Sequence, residues 1–574
     1  MRRWGRVVAA TLFGAWPCAL AAQTALPSAG QLTPRSFAPQ IERSPEGIVL
    51  PSLPTAAAPP GADKIQLNVG NIAVEGGDPQ FAAATEAALA EVRGRQVSVA
   101  DLYAAAGRIE RDYAAGGYFL TRVVIPPQTV KPGGTLRLLV VEGFIESISA
   151  DALAPRVRDR VSAVLATLIG RKRLTLAEFE RALLLAGDTA GLDLKTSLTT
   201  GQAVGSVSLV LAGSYRPVTG EIATDNSLAR ALGPVTSTAS IALNSLFGFG
   251  EQFYLNASGA PNYGFLGGGN PRRLVAAGLT TPLGTDGLSF NLEHVWSETK
   301  PHVDEALGVL PTEDIYQRWS ARFLYPLIRD RSETLTVHAG LDLTSEKETA
   351  PGFGELYQDR LRILRAGFDF SRAFETGTDL SFGGDLSQGL PILDSRGGQS
   401  TDPTVSRPDG SDTFTKLEAR FRLLQQLPAS FALEVTGRGQ YAGGPLMNSE
   451  QFSLGGPRAL SAYDAAGFSG DHGWIVRGEL QYTYPLAFEH FEAALVPYGF
   501  GARGEVTLIK PTAAQLHVDG ASSFGLGARV TLNDNTGIVV RQVELGLEAA
   551  RGLSDNPQTT PDQWRFNAYG DIRF

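Results

Sequence analysis

From Thr219 to the C terminus, apolar and polar residues alternate with a period of two, the spacing of a strand with two unlike faces. In the last twelve residues Trp564, Phe566, Ala568, Gly570, Ile572 and Phe574 share one face; Gln563, Arg565, Asn567, Tyr569, Asp571 and Arg573 share the other. The dyad recurs in Trp474, Val476, Gly478, Leu480, Tyr482 and Tyr484 against Arg477, Glu479, Gln481 and Thr483. It recurs again in Leu288, Phe290 and Leu292 against Ser289, Asn291 and Glu293, and in Val543, Leu545 and Leu547 against Gln542, Glu544 and Glu548. One face suits lipid and the other water, so segments of about ten such residues predict a transmembrane β-barrel. About sixteen begin near residues 219, 237, 251, 273, 287, 317, 333, 357, 377, 412, 430, 473, 494, 519, 538 and 563. An even number allows antiparallel closure. Short turns such as Gly284–Gly287 alternate with long polar loops at Ser297–Tyr316, Asp394–Ser411 and Gly443–Gly473, which places the short turns in the periplasm and the long loops outside. A soluble β-sandwich array is the competing reading.

Upstream the period changes. A β-like stretch at Ile65–Val74 precedes two helical segments and two strands, Tyr118–Ile125 and Thr135–Glu142. The second helix opens on Ser98 with Asp101 in its first turn, aligns Leu102, Ala105, Ile109 and Tyr113, and stops at Gly116 and Gly117. The order repeats: strand Ile145–Ser149, helix Arg156–Leu168, a second helix announced by the capping box Thr175-x-x-Glu178, and strands Leu192–Thr199 and Ser206–Ala212. Two tandem α+β modules of βααββ order result.

Residues 1–22 join Arg2, Arg3 and Arg6 to an apolar run from Val7 to Trp16 and small residues at Ala19, Ala21 and Ala22, the pattern of a secretory signal. Eight prolines between Pro27 and Pro60 make 23–63 a linker or a plug, with room for a short helix at Ser36–Arg43. The division is 1–22 signal, 23–63 Pro-rich segment, 64–143 first module, 144–216 second module and 217–574 barrel. Composition narrows the chemistry. A net charge of −9 argues against nucleic acid, and Cys18, the sole cysteine, lies in the signal, so disulfide and Cys-metal chemistry drop out. The six histidines lack metal-ligand spacing, and neither a nucleophile elbow nor a phosphate loop occurs.

This architecture resembles two-partner secretion transporters, the haemolysin and filamentous-haemagglutinin secretion/activation family, whose periplasmic modules are POTRA repeats. The resemblance spans essentially the whole chain beyond the signal and is sharpest at Tyr113–Pro126, Leu136–Gly143 and Leu454-Gly455-Gly456-Pro457. It implies an outer-membrane protein of a Gram-negative bacterium, with periplasmic POTRA modules, that exports a TpsA-like exoprotein partner. It implies no catalytic residue, cofactor or metal. Tyr113, Gly117, Tyr118 and Pro126 become candidate substrate-binding residues, and Trp564, Tyr569 and Phe574 the terminal signal read by the barrel-assembly machinery. The other partner is outer-membrane lipid, and the expected state is a monomer. An assembly factor for other barrels and a passive porin are the alternatives.

Two departures stand against the family pattern. Its inward-reaching loop carries a Val-Arg-Gly-Tyr-like tip, and alignment on Gly455, Gly456, Pro457 and Tyr463 puts Ser461 at the arginine. Its Phe-x-Asp-x-Gly strand corresponds to Phe500, Ala502 and Gly504, so the aspartate is also missing. Losing both partners of a buried ion pair can be nearly neutral, which puts the anchoring contact in doubt. Arg458 is a candidate replacement cation reaching Glu479, or else a solvated loop residue. Polarity points Arg503 and Glu505 inward, whereas the family alignment points Ala502 inward; the sequence leaves both open.

Overall fold

The computed structural model describes residues 26–38, 58–303, 310–398, 404–488, 491–513, 515–534, 540–556, 561 and 563–574. The signal segment 1–22 and most of the expected helix Ser36–Arg43 lie outside the described residues.

The first module comprises β1 (Gln66–Gly76), α1 (Ala82–Leu89), β2 (Arg95–Ser98), α2 (Val99–Ala115), β3 (Arg122–Val124) and β4 (Gly134–Val141). Its sheet runs β2-β1-β4-β3, with β1 and β4 parallel. Two details differ from expectation. Arg95–Ser98 forms a strand between the helices, paired with Gln66–Val69; four residues with Val97 as their one aliphatic are too short to show alternation. Tyr118–Thr121 is a turn, because the chain reverses at Gly116-Gly117 and lays Tyr118 edge-on to Phe81 at 5.8 Å.

The second module comprises β5 (Phe144–Ser149), α3 (Pro155–Leu165), α4 (Leu176–Gly187), β6 (Leu192–Thr200) and β7 (Ser206–Tyr215), in sheet order β5-β7-β6. Both predicted caps form: Ser98 with Asp101 and Thr175 with Glu178. The Thr175 backbone N–H holds the Glu178 carboxyl below its ordinary range. Each module has its own apolar core, built on Ile109, Leu136 and Leu138 in the first and on Phe179, Leu183 and Leu209 in the second. They are joined by the Leu176 N–H donating to the Gly117 carbonyl (2.9 Å) and by Phe119 against Phe179 at 5.1 Å.

The barrel strands are β8 (Val218–Asp225), β9 (Thr236–Asn244), β10 (Gln252–Gly259), β11 (Arg272–Pro282), β12 (Ser289–Thr299), β13 (Glu313–Arg329), β14 (Glu333–Ala350), β15 (Gly354–Phe374), β16 (Thr378–Gly389), β17 (Thr415–Gln426) and β18 (Phe431–Ala442). After a small inner hairpin, β19 (Phe452–Leu454) and β20 (Phe468–Gly470), they continue as β21 (His472–Tyr482), β22 (Tyr484–Ala487), β23 (Phe491–Thr507), β24 (Val518–Asp534), β25 (Gln542–Ser554) and β26 (Arg565–Arg573). Because β21 and β22 both pair with β23 as one interrupted strand, sixteen antiparallel strands close the barrel among the described residues. The polarity dyad is the lipid/lumen division: Trp474, Leu480, Leu547 and Phe566 are exposed on the outside, while Arg477, Glu479, Glu548 and Asn567 are buried inside.

Strands β13 to β15 are 17, 18 and 21 residues long, well beyond the ~9–11 that cross a bilayer. They project outside. The loop expected at Ser297–Tyr316 is accordingly shorter, since β12 runs to Thr299 and β13 starts at Glu313; its polar residues belong to strand ends above the membrane. The short turns meet the second module: Arg329 pairs with Asp188 (2.5 Å), Arg331 with Glu180 (2.6 Å), and Arg160 donates to the Gly284 carbonyl (2.5 Å). At the seam β26 pairs with β8 over five residues, from Tyr569↔Asp225 to Arg573↔Glu221. Asn226 extends this ladder with its side chain, donating to the Phe566 carbonyl and accepting from the Ala568 N–H, both at 2.9 Å. It is a seam clasp.

Candidate functional site

The lumen is occupied by two segments of the same chain. The first is residues 26–38. Within this stretch the Leu32 N–H donates to the Ser28 carbonyl (3.3 Å) and the Thr33 N–H to the Gly30 carbonyl (3.2 Å), and the wall takes up much of the remaining main chain. The N–H groups of Ala29, Gly30 and Phe37 donate to Asp314 (2.9 Å), Glu346 (2.8 Å) and Glu293 (2.7 Å). The carbonyls of Leu32, Pro34 and Arg35 accept from Arg272 (3.1 Å), Arg318 (3.0 Å) and Arg322 (2.7 Å). Arg35 pairs with Glu418.

The second occupant is the loop between β18 and β21, which folds inward. Its 3₁₀ turn Asn448–Glu450 puts Glu450 between Lys416 (2.5 Å) and Arg365 (2.7 Å), and Arg365 also holds Asp342 (2.7 Å). The loop then reverses at Gly455-Gly456, with φ of +105° and +90°. A Cβ on Gly455 would stand 2.0 Å from the Asp464 carbonyl oxygen, so glycine is required there. On either side of the reversal, Leu454, Leu460, Ala462, Tyr463 and Phe468 pack with Tyr498, Phe500, Ala502 and Val506 of β23 into one buried cluster. Gly504 leaves room for Leu454. The inward face of β23 is therefore Tyr498, Phe500, Ala502, Gly504 and Val506. Arg503 pairs with Asp555 (2.6 Å) in a half-exposed position, so the polarity rule fails at this strand end.

Ser461 is fully buried and the wall comes to it. Arg477, directly opposite Ala502 in the β21–β23 register, donates to the Ser461 hydroxyl (2.7 Å), to Glu479 (2.9 Å) and to Glu548 (2.6 Å), with its guanidinium 3.8 Å from the Phe500 ring centroid. Arg529 completes the charge balance by pairing with Glu479 (2.7 Å). Asn567 donates to the Ser461 carbonyl (2.8 Å), and the Ala462 N–H donates to Ser523 (3.1 Å). The loop tip is thus held by a cation on the wall and a hydroxyl on the loop. Arg458, next to Pro457, does not take Glu479; it pairs with Glu544 and lies 5.0 Å over the Tyr569 ring.

The candidate POTRA residues are dispersed by role. Tyr113 is a core side chain, 4.2 Å from Phe81, its hydroxyl accepting from the Asp78 N–H (2.7 Å), and burial pushes its phenol up. Gly117 lies at the joint between modules, Tyr118 packs edge-on against Phe81 at the first module's core, and Pro126 is half-buried past the end of β3. At the C terminus Trp564 is exposed, and Phe574 exchanges two backbone hydrogen bonds with Gly220 at the seam (2.9 and 3.0 Å). Sequence reading missed Arg477, Glu548 and Arg529 as a unit, and the wall groups that seat 26–38. The signal was present as opposite charges on the polar faces of neighbouring strands.

Residues 206–530, more than half of the chain, match the model of the haemolysin secretion/activation protein ShlB/FhaC/HecB. The chain belongs to this family. Residues 67–143 also match the ShlB-type POTRA domain. Among relatives, the hemolysin transporter protein ShlB of Serratia marcescens is 25% identical over 81% of this chain and 78% of its own length. The heme/hemopexin transporter protein HuxB of Haemophilus influenzae is 22% identical over 71% and 70%. The fold is that of CdiB from Escherichia coli, with a TM-score of 0.68, 18% identity and coverage of 91% and 94%.

Proposed function

We propose that this chain exports a cognate exoprotein from the periplasm to the cell surface through the barrel lumen. The reading is carried by how residues 26–38 are held: chiefly through polar contacts with the wall, so that their departure clears the part of the lumen they fill. The outer strands β2 and β3 of the first sheet supply edges on which an incoming extended segment adds, with Tyr113, Gly117, Tyr118 and Pro126 of the same module in the stretch where the family resemblance is sharpest. Outer-membrane lipid surrounds the exposed apolar band. The barrel-assembly machinery recognises the last strand through Trp564, Tyr569 and Phe574, and the closed seam makes a monomer sufficient. No chemical step is required of the chain.

Comparing the proteins of the culture supernatant by mass spectrometry, in cells with and without this chain, tests the proposal. Loss of one large secreted protein with the barrel inventory unchanged supports it. Depletion of other outer-membrane barrels with an unchanged supernatant overturns it in favour of assembly.

A further inference from the structure

The turn joining β9 to β10 has the sequence Phe247-Gly248-Phe249-Gly250 and presents both phenyl rings to solvent, each 68% exposed. Such exposure of two adjacent large aromatics is not loose chain. The buried carboxylate of Glu251 accepts from the Phe247 N–H (2.6 Å) and the Phe249 N–H (3.0 Å). Gly248 and Gly250 hold φ of +85° and +82°, a conformation that residues bearing Cβ rarely adopt, so the turn is fixed in the shape that projects both rings. It lies at the short-turn end of the barrel against the second module: Gly248 faces the Arg156 carbonyl and Gly250 the Arg160 side chain.

The rings continue a surface whose partner is lipid. Phe247 meets Phe253 edge-on with centroids 6.0 Å apart, and Phe253 is the register partner of Leu243. Above them Leu255 and Ile241 are paired and exposed, and Val218 and Ile222 of β8 extend the band. Aromatic side chains concentrate at the membrane–water interface, where a ring can leave water while the adjoining backbone stays hydrated.

We infer that Phe247 and Phe249 insert into the periplasmic leaflet of the phospholipid bilayer, and that this turn pins the second module to the membrane surface beside the barrel seam. The inference rests on the barrel's placement in the outer membrane. It adds a membrane contact that belongs to the module's docking rather than to the pore.

The test uses the full chain in nanodiscs of phosphatidylethanolamine and phosphatidylglycerol, with Cys18 replaced by alanine and one cysteine spin-labelled at a time. Phe249→Cys is compared with Leu547→Cys, on the lipid-facing wall, and Val204→Cys, 77% exposed in a periplasmic loop. Each variant is first checked for the heat-modifiable mobility of a closed barrel. The expected result is that the label at 249 collides with oxygen several-fold more than with a water-soluble nickel chelate, matching the label at 547 and unlike that at 204. A water-like ratio at 249 with a lipid-like ratio at 547 overturns the inference alone, as does a label at 249 reached by neither reagent, which would mean that protein covers the turn. A water-like ratio at 547 overturns the membrane placement itself.

Discussion

The two segments that fill the lumen are held by different physics. Residues 26–38 meet the wall largely through main-chain groups, three N–H donors on carboxylates and three carbonyls on arginines, and Ala29 is their one fully buried hydrophobic residue. Every one of those bonds can be exchanged for water, and ordering the segment costs conformational entropy of opposite sign, so its net hold on the wall is weak. The loop between β18 and β21 has instead become part of a core. Its Leu454, Leu460, Tyr463 and Phe468 are buried with β23, and Ser461 is tied to a wall arginine that has two further carboxylate partners. Leaving would expose apolar surface and strand buried charge. In the proposed export cycle the weakly held segment departs, while the loop stays and shapes the channel.

The largest break should come from Arg477→Ala. It leaves Glu548 buried without its cation and Ser461 without its donor, which costs about 3–5 kcal/mol. The heat-modifiability midpoint should fall sharply, and external protease should cut the loop in intact cells. Arg477→Lys should recover less than half of the loss, because an ammonium cannot span three directions as a planar fork does. Next is Gly455→Ala, which forces a Cβ onto the Asp464 carbonyl at a φ of +105° and should cost about 1–3 kcal/mol on the same assay. Deleting 26–38 should shift that midpoint by less than about 1 kcal/mol, since water takes over the released bonds, yet raise single-channel conductance in planar bilayers several-fold. The smallest effect is that of salt. Arg35 and Glu418 are partly exposed, so moving from 0.1 to 1 M, where the screening length drops from ~10 to ~3 Å, should lengthen open dwell times without altering the loop's protease resistance.

The sixteen strands were legible because period-two polarity is imposed residue by residue by lipid on one side and water on the other. Every predicted start falls within four residues of an observed one. The helices of both modules were legible through their caps, Ser98 with Asp101 and Thr175 with Glu178. Arg95–Ser98 was not, since a four-residue edge strand carries no period. Arg503 misled because its strand end stands above the membrane, where the outward face also meets water and polarity stops reporting direction. The anchor at Arg477 was hidden for another reason: Ser461 reaches it only because the loop folds inward onto β21 and β23, a tertiary contact that sequence spacing does not report.

The central claim is that the N-terminal segment vacates the lumen for export. A Cβ on Gly30 would lie 2.7 Å from the Ser449 Cβ of the inward loop and 2.6 Å from Glu346 Oε1, so a Gly30→Cys, Ser449→Cys pair reaches the ~3.5–4.5 Å range of a disulfide by moving apart as the Glu346 carboxylate swings aside. Secretion of the exoprotein should be measured in cells carrying this pair, oxidised and then reduced, with crosslink formation followed on gels. The account predicts that secretion falls in proportion to the crosslinked fraction and returns on reduction; undiminished secretion with the crosslink fully formed would contradict it.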